Sequence, residues 1–221
     1  TEIEEINLND LEIEDFNEKK ETDIEKAARD KLKKTGQEKE KKAEAMSSVK
    51  EIFSWVVYFA AAIIIALLIK NYLIINAHVP TGSMENTIMP GDRLIGNRLA
   101  YLKEEPNRGD IVVFRYPDDE TQTFVKRVIG LPGETVEIRD AHVYIDGSTE
   151  PLAEDYLKED WIVAAGPYTF DVPEGCYLML GDNRNDSWDA RYWTNTYVEE
   201  DQILGEALFT YWPFKNFGKL R

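Results

Sequence analysis

The chain has 221 residues, 43% of them hydrophobic, with 42 Asp and Glu against 26 Lys and Arg and a net charge of −16. That length suits one domain of ordinary size plus attachments, and the acidic balance argues against a nucleic-acid partner, which needs a basic face. With Cys176 as its only cysteine, the chain can form no intramolecular disulfide and no zinc site built on two or more cysteines.

Residues 1 to 50 are dominated by Glu, Asp, Lys and Asn, acidic at first and lysine-rich from Lys31 to Lys50. Apolar residues are too sparse there to build a core. Residues 1–20 read as disordered, and Ala, Glu and Lys between Asp23 and Met46 favour a solvated, frayed helix. The segment as a whole is expected to be a charged cytoplasmic tail. A chain beginning with Thr rather than Met is expected to lack its first residues.

Residues 52 to 69, IFSWVVYFAAAIIIALLI, carry no charge. As a helix such a run spans roughly 27 Å, close to the hydrocarbon thickness of a bilayer. Lys70 can snorkel, and Tyr72 to Ile75 can extend the helix into the interface, so the membrane helix is predicted over residues 51–76. A cleavable signal peptide would have a far shorter charged region ahead of it. Lys39, Lys41, Lys42 and Lys50 crowd the N-terminal flank, whereas beyond Lys70 no Lys or Arg occurs until Arg93. The positive-inside rule then predicts a single-pass protein of the cell membrane, with its N-terminus cytoplasmic and residues 77–221 extracytoplasmic.

Those residues read as mainly β. Asp110–Tyr116, Thr123–Gly130, Thr135–Asp140, His142–Gly147, Cys176–Asp182 and ILGEALFTYWP near the end are short apolar or alternating runs bounded by Gly, Pro, Asp or Asn. Pro132-Gly133 and Asp146-Gly147 are turn dipeptides. The prediction is one domain of antiparallel sheet. Cys176, followed by Tyr-Leu-Met-Leu, reads as a small strand residue.

Three segments carry candidate chemistry. In VPTGSMENTIMPGDR, residues 79–93, the small neighbours of Ser83 suggest an exposed, reactive hydroxyl. His78 and His142 are the only histidines, and nothing in the sequence orients either one by a carboxylate as a Ser-His-Asp triad requires. In FVKRVIG, strand alternation puts Phe124, Lys126 and Val128 on one face, with Arg127 opposite in a structural role. A lysine between apolar neighbours is desolvated, which lowers its pKa and makes a neutral amine available as a general base. The plain alternative is a strand lysine that snorkels to water. GDNRNDSWDARYW, residues 181–193, is a polar loop after a strand. Its Asp and Asn spacing is a poor calcium loop, because Arg184 falls at a ligand position and the sixth place is not glycine. It reads either as a loop held by an Asp189–Arg191 or Asp186–Arg184 ion pair, or as the carrier of a hydroxyl, Ser187, toward the lysine amine.

Together these segments resemble bacterial type I signal peptidases, membrane-bound Ser/Lys serine endopeptidases. PTGSMENT with the following PGD is similar to the family's nucleophile box, and GDIVVF, FVKRVIGLPGE, GDNRNDSWDARYW and ALFTYWP to its later segments, in family order. The resemblance implies that Ser83 is the nucleophile, Lys126 the general base, and the Ser83 N–H with the Thr81 hydroxyl the oxyanion hole. It implies that Ser187 orients the Lys126 amine, that Asp189 and Arg191 pair to support the loop, that Gly181 and Asp182 shape the wall beside the dyad, and that Met84 lines the substrate groove. It further implies signal-peptide-bearing preproteins as substrates, cut after small residues at −1 and −3, no cofactor or metal, and no obligate protein partner beyond the lipid bilayer. Asn86 stands where the family commonly has proline, Ala190 where many members have serine, and Thr194 where glycine often follows. The first of these predicts a less rigid turn after Ser83. A self-cleaving Ser/Lys repressor would need a DNA-binding domain in place of the membrane helix. A catalytically dead anchored β-domain would keep the fold but need no Ser83, Lys126 and Ser187 set.

Overall fold

The computed structural model describes residues 8–221. One helix, α1, runs Leu8–Tyr72. It contains no proline and a single glycine, Gly36, so no residue with a steric block interrupts it. The expectation of disorder over residues 1–20 is therefore corrected from Leu8 onward, where good helix formers continue the same helix; residues 1–7 lie outside the described residues. Lys50–Tyr72 contains an 18-residue window of mean hydropathy 2.7 and is long and apolar enough to cross a membrane. Its large side chains, including Ile52, Phe53, Trp55, Phe59 and Ile63, are exposed.

The helix ends earlier than residue 76. Ile74–His78 forms strand β1 and pairs antiparallel with β2, Arg93–Asn97, in the register Ile75↔Gly96. The β-branched pair Ile74-Ile75 gains a partner strand there, and Ile75 is buried. The same local apolar run serves helix or strand, so the sequence could not place this boundary.

The remaining strands are β3 (Ile111–Tyr116), β4 (Asp119–Gly130), β5 (Thr135–Arg139), β6 (His142–Ile145), β7 (Tyr168–Asp171), β8 (Cys176–Leu180), β9 (Val198–Glu199), β10 (Ile203–Trp212) and β11 (Gly218–Lys219). The larger sheet has the order β1-β2-β10-β3-β4-β8-β9, with β11 on β10, and a three-stranded sheet has the order β6-β5-β7. All these pairings are antiparallel, as predicted. The six predicted strands are present. The short strands β1, β2, β7, β9 and β11 were not predicted; each depends on a partner strand that local alternation does not reveal.

Two apolar clusters hold the domain. One joins Val112, Phe114, Val128, Leu178 and Leu180 of the large sheet to Val136, Ile138 and Val143 of the small one. The other packs Ile75, Met84, Ile88, Leu94, Val113 and Ala207. Thus the turn after Ser83 is fastened to the sheet by two of its own side chains, Met84 and Ile88, both wholly buried. Burying each contributes about 2 kcal/mol.

Candidate active site

Two strand edges define the site. β8 takes up the second edge of β4 only from Arg127 onward, and β1 is terminal in its sheet. Residues 122–126 of β4 therefore have one edge without a partner strand, and they face the chain leaving β1. A groove of about 590 Å³ lies between them, lined on one side by His78–Ser83 and on the other by Gln122–Lys126, with Asp186 and Trp188 also on its wall.

Ser83 and Lys126 meet in this groove. The Lys126 Nζ donates to Ser83 Oγ at 2.5 Å, and the two residues are only 4% and 7% exposed respectively. Lys126 also lies over the Phe124 ring, 5.7 Å from its centroid, as expected for residues two apart on one strand face. Burial pulls the Lys126 ammonium down to about 8, against the opposing pull of Asp189 and Asp182. No side chain of Asp or Glu bonds the amine among the described residues, so desolvation prevails. His142 is exposed with Nδ1 on the Asp140 carbonyl, and His78 is exposed on the groove wall; neither bonds Ser83.

The loop after β8 lies against the back of the nucleophile. A Cβ on Gly181 would sit 2.2 Å from Ser187 Oγ and 2.4 Å from the Ser83 carbonyl oxygen, so only glycine permits this approach. The Asn183 main-chain N–H donates to the Ser83 carbonyl (3.1 Å), and its side-chain amide to the Gly82 carbonyl (3.0 Å). Asp182 accepts from Thr87 Oγ1 at 2.5 Å, from Arg127 Nε at 2.8 Å and from Arg127 Nη2 at 2.7 Å. Three consecutive residues thereby grip both ends of the nucleophile turn.

Asp189 and Arg191 pair as expected, at 2.8 Å and with both side chains fully buried. Asp189 also accepts from the Gly181 N–H, while Arg191 donates to the carbonyls of Arg184, Val163 and Ala164. Arg184 pairs with Glu154 rather than Asp186. Asn185 holds the N–H groups of Ile162 and Val163.

Two expectations are corrected. Ser187 is buried but its Oγ has no hydrogen-bond partner among the described residues, so it does not hold the Lys126 amine; it packs instead against Gly181. Met84 does not line the groove. The turn bonds Ile88 N–H to the Met84 carbonyl and sends the Met84 side chain into the core. Thr81 is exposed on the groove wall. The turn after Ser83 is held by a different device from proline: Asn86 adopts φ +88, which proline cannot, and its amide donates to the Tyr156 carbonyl at 3.1 Å. Ala190 is buried, and Thr194 N–H is held by Asp118.

The sequence reading left Asn183, Arg127 and Trp188 without a site role. Arg127 was assigned to structure, and its grip on Asp182 could be found only from the pairing of β4 with β8. Trp188 is 57% exposed, stacks on Tyr192 at 5.4 Å and forms part of the groove wall. An exposed tryptophan in a polar loop was the one available signal.

A family model described as "Signal peptidase, peptidase S26" matches residues 52–212. The probable signal peptidase I-2 of Synechocystis is 37% identical over 168 residues, covering 72% of each chain. Signal peptidase I of Leptolyngbya laminosa is 37% identical over 167 residues, covering 72% of this chain and 79% of that one. Signal peptidase IB of Staphylococcus aureus is 33% identical over 182 residues, covering 76% and 93%. The crystal structure of a signal peptidase I from Enterococcus faecalis matches at 38% identity, with a TM-score of 0.40, over 47% of this chain and 97% of that chain. The family-model match over residues 52–212 runs from the apolar helix through every segment that builds the groove, and on it and the curated relatives the chain belongs to the signal peptidase I family, as a type I signal peptidase and serine endopeptidase.

Proposed function

We propose that the chain removes N-terminal signal peptides from exported preproteins with Ser83 as nucleophile and Lys126 as general base. The observation that carries this reading is the contact of the two side chains in a groove, with the amine desolvated. Ser83 Oγ attacks the scissile carbonyl carbon while neutral Lys126 takes its proton. Lys126 then gives that proton to the leaving amine, the peptide C–N bond breaks, and the signal peptide is left as an ester on Ser83. Lys126 next takes a proton from water, whose oxygen attacks the ester. Collapse releases the signal peptide acid and returns the proton to Ser83 Oγ.

The Ser83 N–H and the Thr81 hydroxyl form the oxyanion hole, each donor contributing on the order of 3 kcal/mol. Asp189 and Arg191 hold the supporting loop, and Gly181 and Asp182 shape the wall against Ser83. The preprotein lies as an extended strand in the groove between residues 78–83 and the open edge at 122–126, where main-chain bonds give affinity and alternate side chains face the walls. Small residues at −1 and −3 fit a peptide held that closely. The exposed apolar helix Lys50–Tyr72 anchors the enzyme as a single span. Residues 1–50 form the cytoplasmic tail and 77–221 the extracytoplasmic peptidase domain, which brings Ser83 near the bilayer surface where cleavage sites emerge. The enzyme acts on its preproteins without an obligate protein partner.

Cleavage of a model preprotein in detergent micelles by wild-type and Ser83→Ala protein tests the reading. Cutting after a small-x-small site that disappears in S83A is the expected result. Equal cutting by both proteins would refute the nucleophile assignment.

A further inference from the structure

Asn183 is 1% exposed and makes two contacts with the nucleophile segment, one from its main chain and one from its side chain. A carbonyl oxygen only accepts, so the contact with Gly82 fixes which end of the Asn183 amide faces it. The other end, Oδ1, is buried without a partner among the described residues. The side chain thus makes one hydrogen bond, and that bond falls on the peptide unit joining Gly82 to Ser83.

That peptide unit is the one that carries the Ser83 N–H. It is planar and trans, so its C=O and N–H point in opposite directions. The Gly82 carbonyl also accepts from the Glu85 N–H within the turn (3.0 Å); the Asn183 amide, donating to the same oxygen, ties it to the loop side, which turns the Ser83 N–H the other way. The Ser83 N–H itself donates to no protein group among the described residues. Donation into the carbonyl also polarises the peptide unit and strengthens its N–H as a donor. The second contact, from the Asn183 N–H to the Ser83 carbonyl, fixes the following peptide plane, so rotation about the Ser83 backbone is restrained from both sides.

We infer that Asn183 is a positioning residue for the oxyanion hole, aiming the Ser83 N–H at the scissile carbonyl by gripping the Gly82 carbonyl behind it. This rests on the assignment of Ser83 as nucleophile. It separates two functions of one loop: Asp182 anchors the far end of the turn through Thr87, whereas Asn183 sets the plane of the reacting residue itself.

The test compares full-length wild-type, Asn183→Ala and Asn183→Asp proteins in detergent micelles. Asp keeps the side-chain volume and the main-chain N–H to Ser83 but, ionised, has no donor for Gly82. For both variants kcat is expected to fall about 100-fold, the range for a misplaced oxyanion donor, with KM within about twofold of wild type. In Asn183→Ala, which adds no charge near Lys126, the midpoint of the pH profile stays in place. A peptide aldehyde, whose adduct places an oxyanion in the hole, loses affinity in parallel with kcat/KM. Binding of an uncleaved substrate peptide to the S83A protein and to S83A/N183A protein stays equal. Wild-type kcat in N183D would overturn the inference, as would a loss carried by KM, a shifted pH midpoint in N183A, or loss of cooperative unfolding in both variants. If S83A itself retains activity, the nucleophile reading fails; if S83A is dead and N183D is fully active, only the role of Asn183 fails.

Discussion

Asp182 receives the Nε and Nη2 of Arg127 in a two-point contact, with both side chains almost wholly buried. Arg127 follows Lys126 in β4, and successive strand residues point to opposite faces. One step along the strand therefore supplies the amine on Ser83 and the guanidinium on Asp182. Because Asp182 also accepts from Thr87, the strand that carries the base holds the turn that carries the nucleophile.

Replacing Asp182 by Ala leaves a buried guanidinium without its carboxylate. Loss of one partner from such a pair costs about 3–5 kcal/mol. Thermal unfolding of D182A is expected well below wild type, with cleavage impaired even at temperatures where the variant is folded. A melting temperature equal to wild type would mean that Arg127 finds another acceptor.

The cleavage rate is expected to rise with pH through about 8 and to level above it. The sign follows from the base: only neutral Lys126 accepts the Ser83 proton, and burial makes that form available well below the ordinary lysine range. A pH series of kcat/KM on a synthetic preprotein peptide checks this. A profile flat from about pH 6 to 10 would show that no group of this pKa governs the free enzyme.

Lys126→Met should abolish cleavage and raise thermal stability at neutral pH. The folded pKa lies below the unfolded value, so the unfolded chain binds the proton more tightly between about 8 and 10.5. Stability associated with Lys126 is greatest above the unfolded value and is lost as pH falls through about 8. Methionine removes that penalty at similar volume. Calorimetry is expected to give a higher Tm for K126M at pH 7 than for wild type, with the difference shrinking toward high pH. A lower Tm at pH 7 would show that the amine stabilises the fold.

Gly181→Ala places a methyl group within 2.4 Å of the Ser83 carbonyl oxygen and closer still to Ser187 Oγ. The loop must move away from the nucleophile, and a displacement near 1 Å lowers catalysis about 100-fold. The double variant G181A/S187G removes the side-chain clash but not the main-chain one. It should recover part of the lost stability while kcat remains low. Full recovery of both would locate the whole effect at Ser187.

Local pattern was enough to read several parts of this molecule. The apolar run ahead of Lys70 needs no tertiary context, since length and absence of charge alone make it long enough to span a bilayer. The alternation in FVKRVIG already put Lys126 beside Phe124 on one strand face, and the order of segments around Ser83, Lys126 and Asp189 pointed to one family. What local pattern could not supply was pairing. Whether Ile74-Ile75 ends a helix or starts a strand depends on β2, where the partners Asn97 and Gly96 lie more than twenty residues further along. Ser187 lies in the right loop but its hydroxyl faces Gly181, and Met84 follows the nucleophile yet turns into the core. Asn183 is one polar residue among several in its loop until β8 lays it against the carbonyls of Gly82 and Ser83. Residue types and strand periodicity are local properties and survive in the sequence. The direction of the Asn183 amide is set by main-chain groups about a hundred positions away, and only the folded chain brings them together.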